Sequence, residues 1–144
     1  MNYMEFEHEK PTTFFRFEDL RVYHKALDYL SWVYKMAGNA SNDPMLKVFF
    51  DRFLTSASGI ALNIAEGSSR NKSQFVYYLK MAKSSVRECV VLTTVGLDRS
   101  YMKQDAYDES KNQLMEMTKM IGALIGSLQR SVKEAGIEEE EEAD

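Results

Sequence analysis

The chain has 144 residues, of which 44% are hydrophobic and 28% charged, with only two prolines and seven glycines. This length suits one domain with a substantial core, and the composition is that of an ordinary soluble globular protein. No apolar run reaches the roughly 18 residues that cross a membrane, and residues 1–14 lack the apolar stretch of a secretory signal. The single cysteine, Cys89, excludes an internal disulfide framework and indicates a reducing cytoplasm.

The formal net charge of −4 hides an uneven distribution of acidic residues. Residues 138–144 read EEEEEAD and hold six of the 22 acidic groups, so the rest of the chain has 18 basic and 16 acidic residues. A block of like charges is typical of a solvated tail without fixed structure. The alternative is that these acids compete with nucleic acid for a basic surface on the folded body.

Four segments show the three- and four-residue spacing of apolar positions that is typical of amphipathic helices. The predicted buried stripes are Leu20, Tyr23, Leu27, Leu30, Tyr34 and Ala37; Leu46, Phe49, Phe50, Phe53, Ala57, Ile60 and Ile64; Phe75, Leu79, Ala82, Val86, Cys89 and Thr93; and Tyr107, Leu114, Met117, Ile121, Leu124 and Leu128. No segment shows the alternating polarity of a strand.

Capping residues locate the ends of these helices. The predicted starts are Glu18–Asp19, Asp43–Pro44, Asn71 or Ser73, and Lys103–Asp105, and the last helix is predicted to close near Ser131. Helices joined by short connections run antiparallel, so the sequence predicts an all-α fold, an antiparallel up-down-up-down four-helix bundle over residues 17–132. Residues 1–16 are predicted to form a flexible N-terminal arm, and residues 133–144 an acidic disordered tail.

Two glycines, Gly122 and Gly126, lie one turn apart inside the fourth predicted helix. A glycine inside a helix costs about 1 kcal/mol relative to alanine, so the pair requires an explanation. Close approach of another helix is the expected one. The partner helix belongs either to the same bundle or to another subunit of a homo-oligomer.

Patterns of catalytic and metal-binding residues are missing from the sequence. The two histidines, His8 and His24, are not in a metal-ligand spacing, and no Glu-x-x-His pair suits a di-iron bundle. Cys89 lies in an apolar helix pattern without a base partner, which is typical of a core residue. The sequence therefore predicts a protein that is not an enzyme and uses neither a cofactor nor a metal.

Basic residues form a stripe on the third predicted helix. Lys80, Lys83 and Arg87 recur at i, i+3 and i+7, and Arg70 and Lys72 lie just before them. Such a stripe is typical of a nucleic-acid-binding face, where each phosphate contact makes the affinity depend on salt. A solvated helix face explains the same spacing equally well.

A polar cluster closes the second predicted helix. Asn63 and Glu66 are three residues apart and share a face. The structural interpretation is that Asn63 bonds nearby backbone and that Glu66 pairs with Arg70 or Arg87.

Three motifs carry a resemblance to a known family. They are Phe17-x-x-Leu20-x-Val22-Tyr23-x-x-Ala26, Ile60-x-x-Asn63-Ile64-Ala65-Glu66-Gly67, and Phe75-x-x-x-Leu79-x-x-Ala82-x-x-Ser85-x-x-Glu88. In order and spacing they resemble the four-helix-bundle family named for proteins encoded in intervening sequences of bacterial 23S rRNA genes. The accessory variability proteins of diversity-generating retroelements are similar to this family. The resemblance covers residues 17–130, and the signature from Asn63 to Gly67 is its most specific part.

The resemblance implies an all-α bundle without catalytic residues that assembles into a ring-like homopentamer. For the retroelement relatives it also implies a basic surface that engages a reverse transcriptase and RNA or DNA. The chain departs from the family near Thr55 and Ser56, where uncharged residues replace a pair of arginines, and at Ser84, which replaces a glycine. The favoured hypothesis is a cytoplasmic, oligomeric scaffold that binds nucleic acid or a nucleoprotein. The alternative is a protein–protein adaptor that uses the bundle ends and the aromatic residues of the N-terminal arm, Tyr3, Phe6, Phe14 and Phe15.

Overall fold

The structure, a computed structural model, describes residues 14–136. It contains four α-helices: α1 (Arg21–Gly38), α2 (Pro44–Ser68), α3 (Lys72–Asp98) and α4 (Gln104–Ala135). Helix α1 packs against α2 and α4, and α3 packs against the same two helices, without contacts across either diagonal of the described bundle. This arrangement confirms the predicted antiparallel four-helix bundle. None of the four described helices is long and apolar enough to cross a lipid bilayer.

Side-chain caps determine where α2 and α3 begin. The carboxylate of Asp43 accepts a hydrogen bond from the backbone N–H of Met45 at 2.9 Å, and Pro44 occupies the first turn. The Asn71 side chain accepts from the backbone N–H of Gln74 at 2.9 Å. Each cap satisfies an N–H that the helix itself leaves without a partner, so both predicted starts are confirmed.

Two helix ends differ from their predicted positions. Glu18 and Asp19 belong to a separate 3-10 helix, Arg16–Asp19, because Leu20 has an extended backbone that interrupts the chain before α1. Helix α4 continues past Ser131 to Ala135 and ends at Gly136, whose φ of 66° suits glycine. Most of the predicted arm and tail, residues 1–13 and 137–144, lies outside the described residues.

The core follows the predicted stripes on three of the four helices. Phe53, Ile60, Leu79 and Ile121 are among the fully buried side chains of α2, α3 and α4. Leu46 and Tyr107, at the ends of their stripes, are only partly buried.

The predicted stripe of α1 is wrong beyond Leu20. Its buried residues are Val22, Ala26, Tyr29 and Val33. The predicted stripe lies one residue away, about 100° around the helix. Its members are partly buried, except for Tyr34, which is 57% exposed.

A buried hydrogen-bonded chain crosses the core between three helices. The Ser110 hydroxyl of α4 lies 2.8 Å from the Tyr29 hydroxyl of α1 and 2.7 Å from the Thr93 hydroxyl of α3. Thr93 in turn donates to the backbone carbonyl of Cys89 at 2.7 Å. Within residues 14–136 every buried side-chain nitrogen and oxygen has a hydrogen-bond partner, so this polar chain is satisfied in place.

Candidate functional site

The basic stripe of α3 lies on the outer surface of that helix, on the flank nearest α4. Ser85 packs against Gly59 of α2, so its side of α3 faces α2. Lys83 precedes Ser85 by two residues, which at about 100° per residue places it on nearly the opposite side. Lys80 and Arg87 share the side of Lys83 through their i, i+3 and i+4 spacing. Since α3 packs against α2 and α4, this opposite side adjoins α4.

The glycine pair of α4 lies on the outer surface of that helix, on the flank nearest α3. Gln113 lines a cleft together with Lys25 and Asp28 of α1, so its side of α4 faces α1. Gly122 follows Gln113 by nine residues, which places it about 180° around the helix. This side of α4 therefore adjoins α3, its other neighbour.

Two contacts fix the relative height of α3 and α4. The Lys72 ammonium donates to the Ser131 hydroxyl near one end, and Thr93 contacts Ser110 near the other. Both pairs fit one antiparallel register. In that register Gly122 of α4 lies beside α3 at a level between Lys80 and Lys83 of the basic stripe.

Residues 72–87 of α3 and 118–135 of α4 together form a surface that we call the basic face. These two segments contain seven basic residues, Lys72, Lys80, Lys83, Arg87, Lys119, Arg130 and Lys133, and one acidic residue, Glu134. Among residues 14–136, Lys80, Lys83 and Arg87 form no ion pair, whereas Lys25, Lys47 and Arg52 elsewhere on the bundle each contact a carboxylate. The positive charges of Lys80, Lys83 and Arg87 are therefore not balanced by a carboxylate among the described residues.

Three residues of the basic face, Lys119, Arg130 and Lys133, were not predicted from the sequence. They lie on the next helix rather than on the stripe itself. The available signal was the antiparallel pairing of the third and fourth helices, which brings residues far apart in the chain to one level.

Gly122 is not a site of close helix packing inside the bundle. A Cβ atom added to Gly122 would meet no atom within 4 Å, and one added to Gly126 would lie 3.4 Å from a guanidinium nitrogen of Arg130. The explanation of Gly122 by contact within the bundle is therefore wrong. The pair leaves the backbone of α4 uncovered beside the basic stripe, and its role in subunit contact stays a prediction.

Asn63, Glu66 and Arg70 make local contacts at the α2–α3 junction. The Asn63 amide donates to the backbone carbonyl of Gly59 at 2.9 Å, and the Arg70 guanidinium donates to the Glu66 carboxylate at 2.6 Å. Both contacts agree with the structural interpretation of this polar cluster, in which Asn63 bonds nearby backbone and Glu66 pairs with a basic residue. Arg70 also lies over the ring of Tyr78, at 5.1 Å from its centroid. Four of the five predicted nucleic-acid-binding residues therefore share the basic face, whereas Arg70 lies apart from them with its charge paired.

Gly67, the last residue of the signature, is buried where α2 meets the first turns of α3. A Cβ atom added there would lie 2.6 Å from the Cβ of Tyr78 and 2.9 Å from the ring of Phe75. Only glycine fits this contact without movement of α3. The signature therefore builds the tight junction from which the basic stripe begins.

Cys89 is buried in the core and is not a reactive group. Burial, followed by the nearby charge of Glu88, raises the pKa of its thiol to about 12. The thiol is thus protonated at neutral pH, and a protonated thiol is a poor nucleophile and metal ligand. Within residues 14–136, no three His, Cys, Asp or Glu side chains are grouped so that they could hold a metal ion.

Alkaline pH is expected to destabilise the fold through Cys89. In the unfolded chain a thiol has a pKa of about 8.5, whereas the folded protein holds the proton up to about pH 12. The unfolded state therefore binds fewer protons across this interval, and the free energy of unfolding falls as the pH rises through it. Urea denaturation at a series of pH values between about 8 and 10 measures this fall. Cys89→Ala should flatten it, and an unchanged slope in that variant would refute the assignment.

A cleft opens at the opposite end of the bundle from the α2–α3 junction. It has a volume of about 790 Å³ and adjoins the start of α4. Its larger apolar lining residues are Trp32, Met36, Leu46, Phe50 and Tyr101. Apolar surface of this kind is suited to a protein partner or an apolar ligand and is separate from the basic face.

Large apolar side chains are exposed on the outer sides of α2 and α3. Val48 and Leu62 of α2 and Tyr77 and Val91 of α3 are each between 58% and 67% exposed. Met45, Met81 and Val95 extend these two rows. Val48 and Leu62, like Tyr77 and Val91, are 14 residues apart, so each row is interrupted by polar residues such as Arg52 and Glu88. Exposed apolar side chains in this number on one helix pair are available to a subunit or partner interface.

The fold and the basic face define a small four-helix-bundle protein with one concentrated positive surface. The family model for 23S rRNA-intervening sequence proteins matches residues 18–123, and the chain belongs to this family. This match confirms the resemblance drawn from the three motifs. A comparison with curated proteins found no match. Arg130, Lys133 and the acidic residues 138–144 lie beyond the matched region.

Proposed function

We propose that this protein is a non-enzymatic, oligomeric bundle that binds nucleic acid, alone or within a nucleoprotein, through the basic face. One observation carries the proposal: Lys80, Lys83 and Arg87, which form no ion pair among residues 14–136, lie on two adjoining helix segments that contain seven basic residues and one acidic residue. Concentrated positive charge raises the local potential and attracts polyanions over distances beyond direct contact. Phosphate groups that bind there release their counterions, which is the main source of affinity for such surfaces.

The dimensions of the stripe support a phosphate-backbone ligand. Lys80 and Arg87 are seven residues apart, which corresponds to about 10 Å along α3. A nucleic-acid strand carries one phosphate per about 3.4 Å of helix axis, so the stripe matches about three phosphates. The uncovered backbone at Gly122 leaves room for a ligand on the surface of α4 at the same level.

Oligomer formation is supported by the exposed apolar rows of α2 and α3. Burying these side chains in a subunit interface would be favourable at about 25 cal/mol for each Å² of apolar surface removed from water. In a closed ring, which the family resemblance implies with five subunits, the basic face would repeat around the symmetry axis. Repetition would raise the affinity for a polyanion that contacts several subunits at once.

A salt titration with single-stranded RNA and DNA tests the binding proposal, and sedimentation equilibrium tests the oligomer. If Lys72, Lys80, Lys83 and Arg87 each contact a phosphate, the slope of log affinity against log salt is about −2.8 for one subunit. Affinity should then fall about 50-fold between roughly 50 and 200 mM salt, and further if several subunits bind together. The mass should exceed that of one chain, 16.6 kDa.

Two results would contradict the binding proposal. One is an affinity that does not change with salt. The other is the absence of binding both by the full chain and by a full-length variant whose acidic residues in 138–144 are replaced by their amides.

The second candidate function is that of a protein–protein adaptor, and the apolar cleft beside Trp32 favours it. An adaptor would show no salt-dependent binding to RNA or DNA in the same titration. It would still form the oligomer, because the apolar rows of α2 and α3 are distinct from the basic face. The titration therefore separates the two functions.

A further inference from the structure

We infer that the acidic segment 138–144 of this chain occupies the basic face of its own bundle and competes there with nucleic acid. The competition rests on the proposed function, whereas the docking rests on charge and geometry alone. The segment carries six acidic residues, and the basic face carries seven basic residues and one acid, a net charge of +6. The two charges are of the same size and opposite sign.

The direction of α4 brings this segment to the correct end of the bundle. Helix α4 ends at Ala135, beside the end of α3 that carries Lys72, as the contact between Lys72 and Ser131 shows. The acids therefore follow in the chain directly after the basic face. The cleft near Trp32, which adjoins the start of α4, is at the far end and offers no comparable positive charge.

Gly136 allows the chain to turn back at the point where α4 ends. Its φ of 66° and ψ of −131° lie in a region that other residues rarely adopt, and its N–H bonds the carbonyl of Val132 at 2.9 Å. Such a glycine ends the helix and redirects the backbone. A straight continuation of α4 would instead carry the acids away from the bundle.

The length of the segment is sufficient to reach the basic stripe. Residues 137–144 span at most about 26 Å when extended. The level of Lys80 lies about 20 Å back along α4 from Gly136, from the register that the Lys72 and Thr93 contacts define. The acids can therefore extend along the face from Lys133 to Lys80.

A charged segment of this kind acts as a tethered competitor. While it covers the face, only the uncovered fraction of molecules can bind nucleic acid, and the apparent affinity falls by that fraction. Its local concentration is high because the connection is short. Salt weakens both the docking and the binding, so the inhibition should be strongest at low salt.

Docking is measured without any nucleic acid, on the full chain. A spin label is attached to the thiol introduced by Ala143→Cys, since the buried Cys89 is protected from the reagent. The label should broaden the amide signals of the basic face, around Lys80 and Lys119, and leave those near Lys35 unchanged. High salt or the charge reversals Lys80→Glu and Lys83→Glu should remove the broadening. Equal broadening at both ends of the bundle, or none at either, would overturn the docking.

Competition is measured with a 20-nucleotide or similar single-stranded RNA and a full-length variant in which Glu138–Glu142 become Gln and Asp144 becomes Asn. This variant should bind about tenfold more tightly than the natural chain at low salt, as expected if about nine-tenths of the faces are covered. A control with the order of residues 138–144 scrambled keeps all six charges and should bind as the natural chain does. Equal affinity of the natural and neutralised chains would refute competition. Absence of binding by both would refute the proposed function, while the spin-label result would still decide the docking.

Discussion

Reversing three charges on the basic face, by Lys80→Glu, Lys83→Glu and Arg87→Glu in one chain, is expected to lower the affinity for single-stranded RNA about a hundredfold or more at low salt. Each phosphate contact with single-stranded RNA contributes about 0.7 to the salt slope, so the loss of three contacts should reduce the slope from about −2.8 to about −0.7. Lys80, Lys83 and Arg87 form no ion pair among residues 14–136. Their replacement therefore removes charge without breaking a described salt bridge.

The matched control changes the net charge equally at the opposite end of the bundle. Lys35→Glu, Lys103→Glu and Lys111→Glu together add the same negative charge near the ends of α1 and the start of α4. The two triple variants are compared at about 0.1 M salt, where interactions between exposed charges more than about 10 Å apart are largely screened. The control should then retain most of the affinity. Equal losses in both triple variants would show that net charge, not the basic face, determines binding. Urea denaturation of both variants checks that each is folded.

A second large effect, on the stability of the fold, is expected at Gly67, the last residue of the family signature. Gly67→Ala is expected to lower the free energy of unfolding by about 1–3 kcal/mol, the usual cost of overpacking a core contact. The added methyl would lie 2.6 Å from the Cβ of Tyr78. A Cβ is attached directly to the backbone, so no side-chain rotation relieves the contact and α3 must move.

Gly122→Ala is the matched control, because it makes the same chemical change inside another helix. No atom lies within 4 Å of the added methyl, so only the intrinsic preference for alanine changes. This variant should be more stable by about 1 kcal/mol. Urea denaturation of both variants measures the two changes in the free energy of unfolding. Equal effects of the two substitutions would mean that the α2–α3 junction is looser than the structure describes.

The helices were predictable from the sequence because their determinants are local. The caps at Asp43 and Asn71 act within three residues of themselves, and the buried stripe is the longest apolar face on each of α2, α3 and α4. Helix α1 is different because it has two adjacent apolar stripes, one through Tyr23 and one through Tyr29. Which of them is buried depends on where α2 and α4 pack, and that choice is not encoded within α1.

For the candidate site, too, the part that lies on one helix was predictable and the part that depends on helix pairing was not. The stripe from Lys80 to Arg87 is a property of one helix, so its spacing revealed it. Lys119 and Lys133 join it only through the pairing of α3 with α4, which no local pattern specifies. Arg70 was grouped with the stripe because it is near in sequence, but Glu66 four residues earlier holds it at the α2–α3 junction.

The buried chain of hydroxyls through Ser110 has a consequence for the surface of the protein. Apolar side chains alone would tolerate a displacement of α4 by one turn, about 5.4 Å, because many of its layers are chemically alike. Such a shift would separate Ser110 from Tyr29 and Thr93 and leave the buried Tyr29 hydroxyl without its partner, at about 1–3 kcal/mol. Three uncharged hydroxyls in the interior thereby select a single register of the helices along the bundle axis. The distances between the basic residues of α3 and those of α4 on the surface depend on that register, although none of the three hydroxyls reaches solvent.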